Sequence, residues 1–197
     1  MPISRATSAP SIPRHRRRSG RRPSRAFLAI LATVLLLPAG PGSAQAVYYD
    51  GGMDTPSFNF RAVNLNSVWI GYTDTTRGYW NSSGAGTSIG RNTTASATIT
   101  AGSYSTQSWY GHYSPMGIPT INRTFNIQIN VYTISQAAGS NYTTWVKSTM
   151  THELGHALHL GDNPNTTSAS LMKYSRDRTT IYKPQPYDVA EVKGIYA

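Results

Sequence analysis

His152, Glu153 and His156 stand at a spacing that suits a divalent cation. Residues four apart lie one above the other on a helix, so His152 and His156 can aim two imidazoles at one point. From beside the first histidine, the Glu153 carboxylate can reach a water at that point without replacing it as a ligand. Zinc suits such a set, because it accepts nitrogen and oxygen ligands and a catalytic site uses three protein ligands plus one water. The ion lowers the pKa of its water toward about 7 and polarises a carbonyl. Glu153 then acts as general base, taking a proton from the water and passing it to a leaving amine. The implied chemistry is hydrolysis of a peptide bond by a zinc-activated water. The plain alternative is a helix with two surface histidines and a glutamate. Three of the chain's five histidines cluster between 152 and 159, which argues against that.

The elements that position these residues follow from periodicity. Val146, Met150, Leu154 and Leu158 repeat every four residues, with Ala157 widening the stripe, and predict a helix with one face toward a core. Ser140 or Asn141 can cap it, and Gly161, Asn163 and Pro164 end it. A first helix is expected over Ser67–Ser82 and a last one over Tyr187–Tyr196. Between them, Thr87–Ile134 carries strand signals. Alternation is clearest in Thr124–Ile134, where Phe125, Ile127, Ile129 and Val131 share one face. Ala95–Thr100 and Gln107–Tyr113 are further strands. Val47–Phe60 reads as irregular or edge-like, and Ser114–Arg123 and Asn163–Ser170 as loops.

The segment from Thr151 to Asp162 resembles the extended motif of the metzincin clan of zinc peptidases, His-Glu-x-x-His-x-x-Gly-x-x-His. The resemblance makes His152 and His156 zinc ligands and Glu153 the base. It puts the third ligand on Asp162, where the motif has a histidine. Snapalysin-like small secreted proteases of the clan also have an aspartate there, and a matrixin-like protease is the other comparison. The motif's glycine position is held by His159, with Gly161 two residues on. His159 is the competing third ligand. It lies seven residues from His152, about 10.5 Å along a straight helix, which makes convergence at zinc distances hard, whereas a turn after Leu160 brings Asp162 back. Histidine tolerates positive φ better than most residues, so His159 can stand in the glycine's place. Ser170-Leu171-Met172-Lys173-Tyr174 resembles the clan's methionine turn, in which the methionine floors the zinc site. A tyrosine two residues after the methionine serves the metal or the oxyanion in astacin-like and serralysin-like members, which implies a catalytic role for Tyr174.

The resemblance also implies a zincin-like α+β fold. Its parts are a first helix, a twisted, mixed, mostly parallel sheet, the metal helix, the methionine turn and a C-terminal helix. Substrate would lie along an edge strand, here Gln107–Tyr113, with His112 in the cleft.

The formal charge of +10 is unevenly spread. Eight of the 18 Lys and Arg precede residue 47, and the remaining ten face all eight acidic residues, a net of +2. A nucleic-acid partner therefore loses its support. The first 46 residues have the layout of a signal peptide. An Arg-rich start precedes the apolar run Ala26–Leu37, and Ala44-Gln45-Ala46 offers a small-x-small cleavage site. The expectation is one secreted, monomeric catalytic domain, 47–197, with a protein or peptide substrate and no stable membrane association once the leader is cut. With no cysteine, disulfides and thiolate metal ligands are excluded. Two other readings are a module merely stabilised by zinc and a glycan- or surface-binding module.

Overall fold

The computed structural model describes residues 47–197; the expected leader, 1–46, lies outside the described residues. Five strands, β1 (Ser57–Ala62), β2 (Ser88–Arg91), β3 (Thr98–Gly102), β4 (Gly111–Met116) and β5 (Thr124–Asn130), form one sheet in the order β2-β1-β3-β5-β4. All neighbours run parallel except β4, which is antiparallel to β5. Four helices accompany it: α1 (Ser67–Asn81), α2 (Val131–Ala138), α3 (Tyr142–Ala157) and α4 (Pro186–Ile195). The fold is α+β with a mixed, mostly parallel sheet, as expected. No described helix is long and apolar enough to cross a membrane.

The sheet buries one face through simple alternation. In β5, Phe125, Ile127 and Ile129 are fully buried while Asn126 and Gln128 are half-exposed. The inward stripe of α3, Val146, Met150, Leu154 and Leu158, has no exposed surface. Each such side chain contributes about 1.5–3 kcal/mol by leaving water. α1 packs alongside, and the indole of its buried Trp80 donates to the Thr151 carbonyl at 2.9 Å. That bond ties the first helix to the turn carrying His152. Asn66 caps α1 by accepting from the Trp69 amide at 3.1 Å. Asn141 precedes α3 but makes no capping bond through its side chain, since a 3-10 turn over Gly139–Asn141 feeds straight into the helix.

Several expected boundaries move. Ser57–Ala62 is a regular strand at the heart of the parallel sheet, not an irregular stretch. Strand β3 starts three residues later than expected. β4 is displaced to Gly111–Met116 and runs into the expected loop. β5 ends at Asn130, whose side chain accepts from the Tyr132 amide and starts α2 where a strand was expected to continue.

Candidate metal centre

Helix α3 closes with a Schellman arrangement. The Leu160 amide donates to the Gly155 carbonyl at 3.0 Å and the His159 amide to the His156 carbonyl at 3.1 Å. The left-handed residue this requires is His159, with φ of 64°. It occupies the place usually given to glycine, and the chain turns back so that Asp162 faces the histidines.

A strap formed by the first described residues holds that turn. Gly161 donates to Val47, Tyr49 to the His159 carbonyl and Met53 to the Ala157 carbonyl, at 2.6–2.9 Å. The His159 ring belongs to the strap too. Its Nδ1 donates to the Tyr49 carbonyl at 2.7 Å, and it stacks on Tyr48 with centroids 4.7 Å apart. The structure therefore brings together His152, His156 and Asp162 and leaves His159 out of the group.

The three side chains converge as acceptors. His152 Nδ1 donates to the Leu171 carbonyl at 3.0 Å and His156 Nδ1 to the Leu160 carbonyl at 2.8 Å. A carbonyl can only accept, so each ring proton is fixed on Nδ1 and each Nε2 presents a lone pair. Those Nε2 atoms lie 3.1 and 3.6 Å from Asp162 Oδ1. Oδ1 is itself buried without a hydrogen-bond partner. Three acceptors face one another with no proton between them, which is the arrangement a cation resolves.

The electrostatics follow from burial. Desolvation, with Arg176 adding to it, pushes the His152 pKa down to about 3, and desolvation lowers His156 likewise. Both imidazoles are therefore neutral at physiological pH. Glu153 goes the other way. Burial first, then the Asp162 charge, raises it to about 8 against the pull of Arg176 and Arg178.

The floor is the methionine turn. A Cβ on Gly155 would lie 2.6 Å from Met172 Sδ, so the glycine lets sulfur seat directly beneath the helix. Asp188 of α4 fixes this turn from behind. It accepts from Ser170 Oγ at 2.6 Å and from the Leu171 and Gln185 amides, each at 2.8 Å. Because Leu171 supplies the carbonyl that orients His152, Asp188 acts on that imidazole through one intervening residue. Sequence reasoning missed it, although Gln185-x-x-Asp188 carries the capping-box signal that was available.

A cleft of about 900 Å³ opens over His152, His156, Asp162 and Glu153. Gly111 of β4 forms its opposite wall, so close that any side chain there would strike the Glu153 carboxylate. β4 is the sheet edge, and no described strand pairs with its outer side. Tyr174 stands at the rim, 61% exposed, with its hydroxyl beside Asp162. His112 is exposed and stacks on Trp109 at 5.6 Å.

No family model matches the chain, and no curated protein does. Solved structures do overlay. A chain of a structure described as the GM1-bound form of the ECX AB5 holotoxin aligns over 77% of this chain and 84% of its own, at 15% identity and a TM-score of 0.54. This likeness is one of fold. Archaemetzincin from Methanopyrus kandleri aligns over 76% of this chain and 98% of its own, at 13% identity and a TM-score of 0.39. Archaemetzincin from Archaeoglobus fulgidus, complexed with malonate, covers 68% and 99% at 10% identity and the same TM-score. At that score the two archaemetzincin overlaps do not by themselves establish a shared fold.

Proposed function

We propose that the chain is a secreted zinc-dependent endopeptidase of the metzincin type, snapalysin-like or matrixin-like. The observation that carries the reading is the convergence of His152 Nε2, His156 Nε2 and the unpartnered Asp162 Oδ1 on one point at the floor of an open cleft. Two imidazoles and a carboxylate are a donor set that zinc accepts. A structural site would be closed by a fourth protein ligand, and here the group faces the cleft instead. When bound, zinc supplies Lewis acidity to a water and to the scissile carbonyl.

The chain's own residues do the rest. Glu153, buried against Gly111 beside the ligands, would be ionised by a cation seated next to it; its carboxylate takes the proton of the attacking water and returns it to the leaving nitrogen. Tyr174, with its hydroxyl beside Asp162, donates to the oxygen that gains charge as the carbonyl is attacked. The outer edge of β4 takes an extended peptide backbone to backbone, which orders the substrate across Glu153. Export follows from the basic start and apolar run of the first 46 residues. The domain works as a monomer.

Denatured casein, assayed with zinc-replete protein, is expected to be cleaved. A chelator should abolish the cleavage and added zinc should restore it. Activity that survives chelation, or none in protein shown to carry zinc, would overturn the proposal.

A further inference from the structure

Two arginines in the cleft have no task in this reading. Arg176 is accounted for by the fold: it is buried, its Nε donates to Ser148 Oγ at 3.3 Å, and its Nη1 donates to the Lys173 carbonyl at 3.0 Å. Arg178 differs. Its guanidinium lies over the rings of Tyr110 and Trp145, at 4.8 and 5.2 Å, and these two rings meet edge to face at 5.3 Å. Its Nε is buried with no hydrogen-bond partner. The ion pairs among the described residues use Asp74 and Asp162, and none includes Arg178. The adjacent Asp177 turns its carboxylate to the Thr179 amide and hydroxyl.

The physics of that setting is specific. A guanidinium resting against two aromatic rings is held in place by favourable contacts. What remains available is the Nη end, whose N–H groups can meet the two oxygens of a carboxylate. A cation taken out of water without a counter-ion is costly, and an arriving carboxylate relieves that cost. Arg178 also acts on Glu153 through its charge, so it belongs to the same part of the cleft. Trp145 precedes His152 by two helical turns, roughly 10.5 Å of rise. An extended peptide covers about 3.3 Å per residue, so the matching group sits about three residues from the scissile bond.

We infer that Arg178, held against Tyr110 and Trp145, is a specificity subsite for a carboxylate of the substrate, either an acidic side chain or a chain terminus. The inference rests on the peptidase reading and names what that site selects.

Paired peptides test it. One pair carries Glu or Gln about three residues from the cleaved bond with an amidated C-terminus. The other ends at that position as a free acid or an amide. In one pair the carboxylate is expected to raise kcat/KM by roughly tenfold or more, the scale of a charged hydrogen bond, and the pair that responds identifies the source. Arg178→Gln should bring the ratio to within about twofold, and Arg178→Glu should reverse it in favour of the uncharged member of the pair. Arg178→Lys, which keeps charge but loses the fork, should retain a reduced preference; an undiminished one overturns the inference even if the other variants fail to fold. Binding to zinc-replete Glu153→Gln protein, read by tryptophan fluorescence, separates selection from chemistry. Equal affinity for both members of each pair, or a preference that survives Arg178→Gln, overturns the subsite and leaves the peptidase reading standing. Failure to bind or cleave any peptide removes both.

Discussion

Helix α3 is buried at every position from Ser148 to Ala157, whereas across the same cleft Tyr174 and His112 lie open to solvent. The two regions are held by different means. The His152–His156–Asp162 group sits between a packed helix and the turn that carries Met172, and its imidazoles are tied through Nδ1 to the Leu171 and Leu160 carbonyls. The rim is made of an unpaired strand edge and aromatic side chains. The difference teaches which groups are fixed in advance and which are left to meet substrate: the floor has one geometry available to it, and the rim has several.

Three substitutions sharpen or break that contrast. Glu153→Gln should produce the largest effect, a fall in kcat of about 10²–10⁴ with metal content unchanged. Turnover near wild type would remove Glu153 as the base and the floor as the seat of chemistry. Asp188→Ala should follow, destabilising by about 3 kcal/mol in urea because it strips acceptors from the buried Ser170 hydroxyl and Leu171 amide. It should also weaken zinc affinity by about 10–100-fold through the freed Leu171 carbonyl, as read by competition with a chromophoric chelator. A destabilised protein with undiminished zinc affinity would show that the floor tolerates motion after all. Tyr174→Phe should do least, a roughly tenfold loss in kcat, less than a buried oxyanion donor gives. Its stability should stay within about 0.5 kcal/mol of wild type, as for other exposed sites. A larger stability loss would make Tyr174 part of the floor.

The same contrast governs what could be read from residues alone. The His152–His156 spacing, the four-residue stripe of α3 and the need for a left-handed turn at His159 are local properties, and each appears at its expected place. Strand β1 escaped because Pro56 and the glycines before it mask a short alternation, Phe58 and Phe60 inward against Asn59 and Arg61 outward. Helix α2 escaped because Val131, Thr133 and Ile134 prefer strands; the Asn130 cap and the burial of Ile134 decide otherwise. Strand β4 was placed too early because Pro115 argues against a strand, yet a sheet edge tolerates it. Arg178, Gly111 and Asp188 matter through partners 30 or more residues away in the cases of Trp145 and Glu153, and through the methionine turn in the last. No window of sequence contains such pairings.

The strap that begins at Val47 gives the helix end a second set of amides. Met53 and Tyr49 donate to carbonyls that helix α3 and its turn leave free, and Gly161 donates back. Opening of the strap and movement of Asp162 are thereby one event. A cation gripping that carboxylate should slow deuterium uptake at Tyr49, Met53 and Gly161, three positions that never touch it.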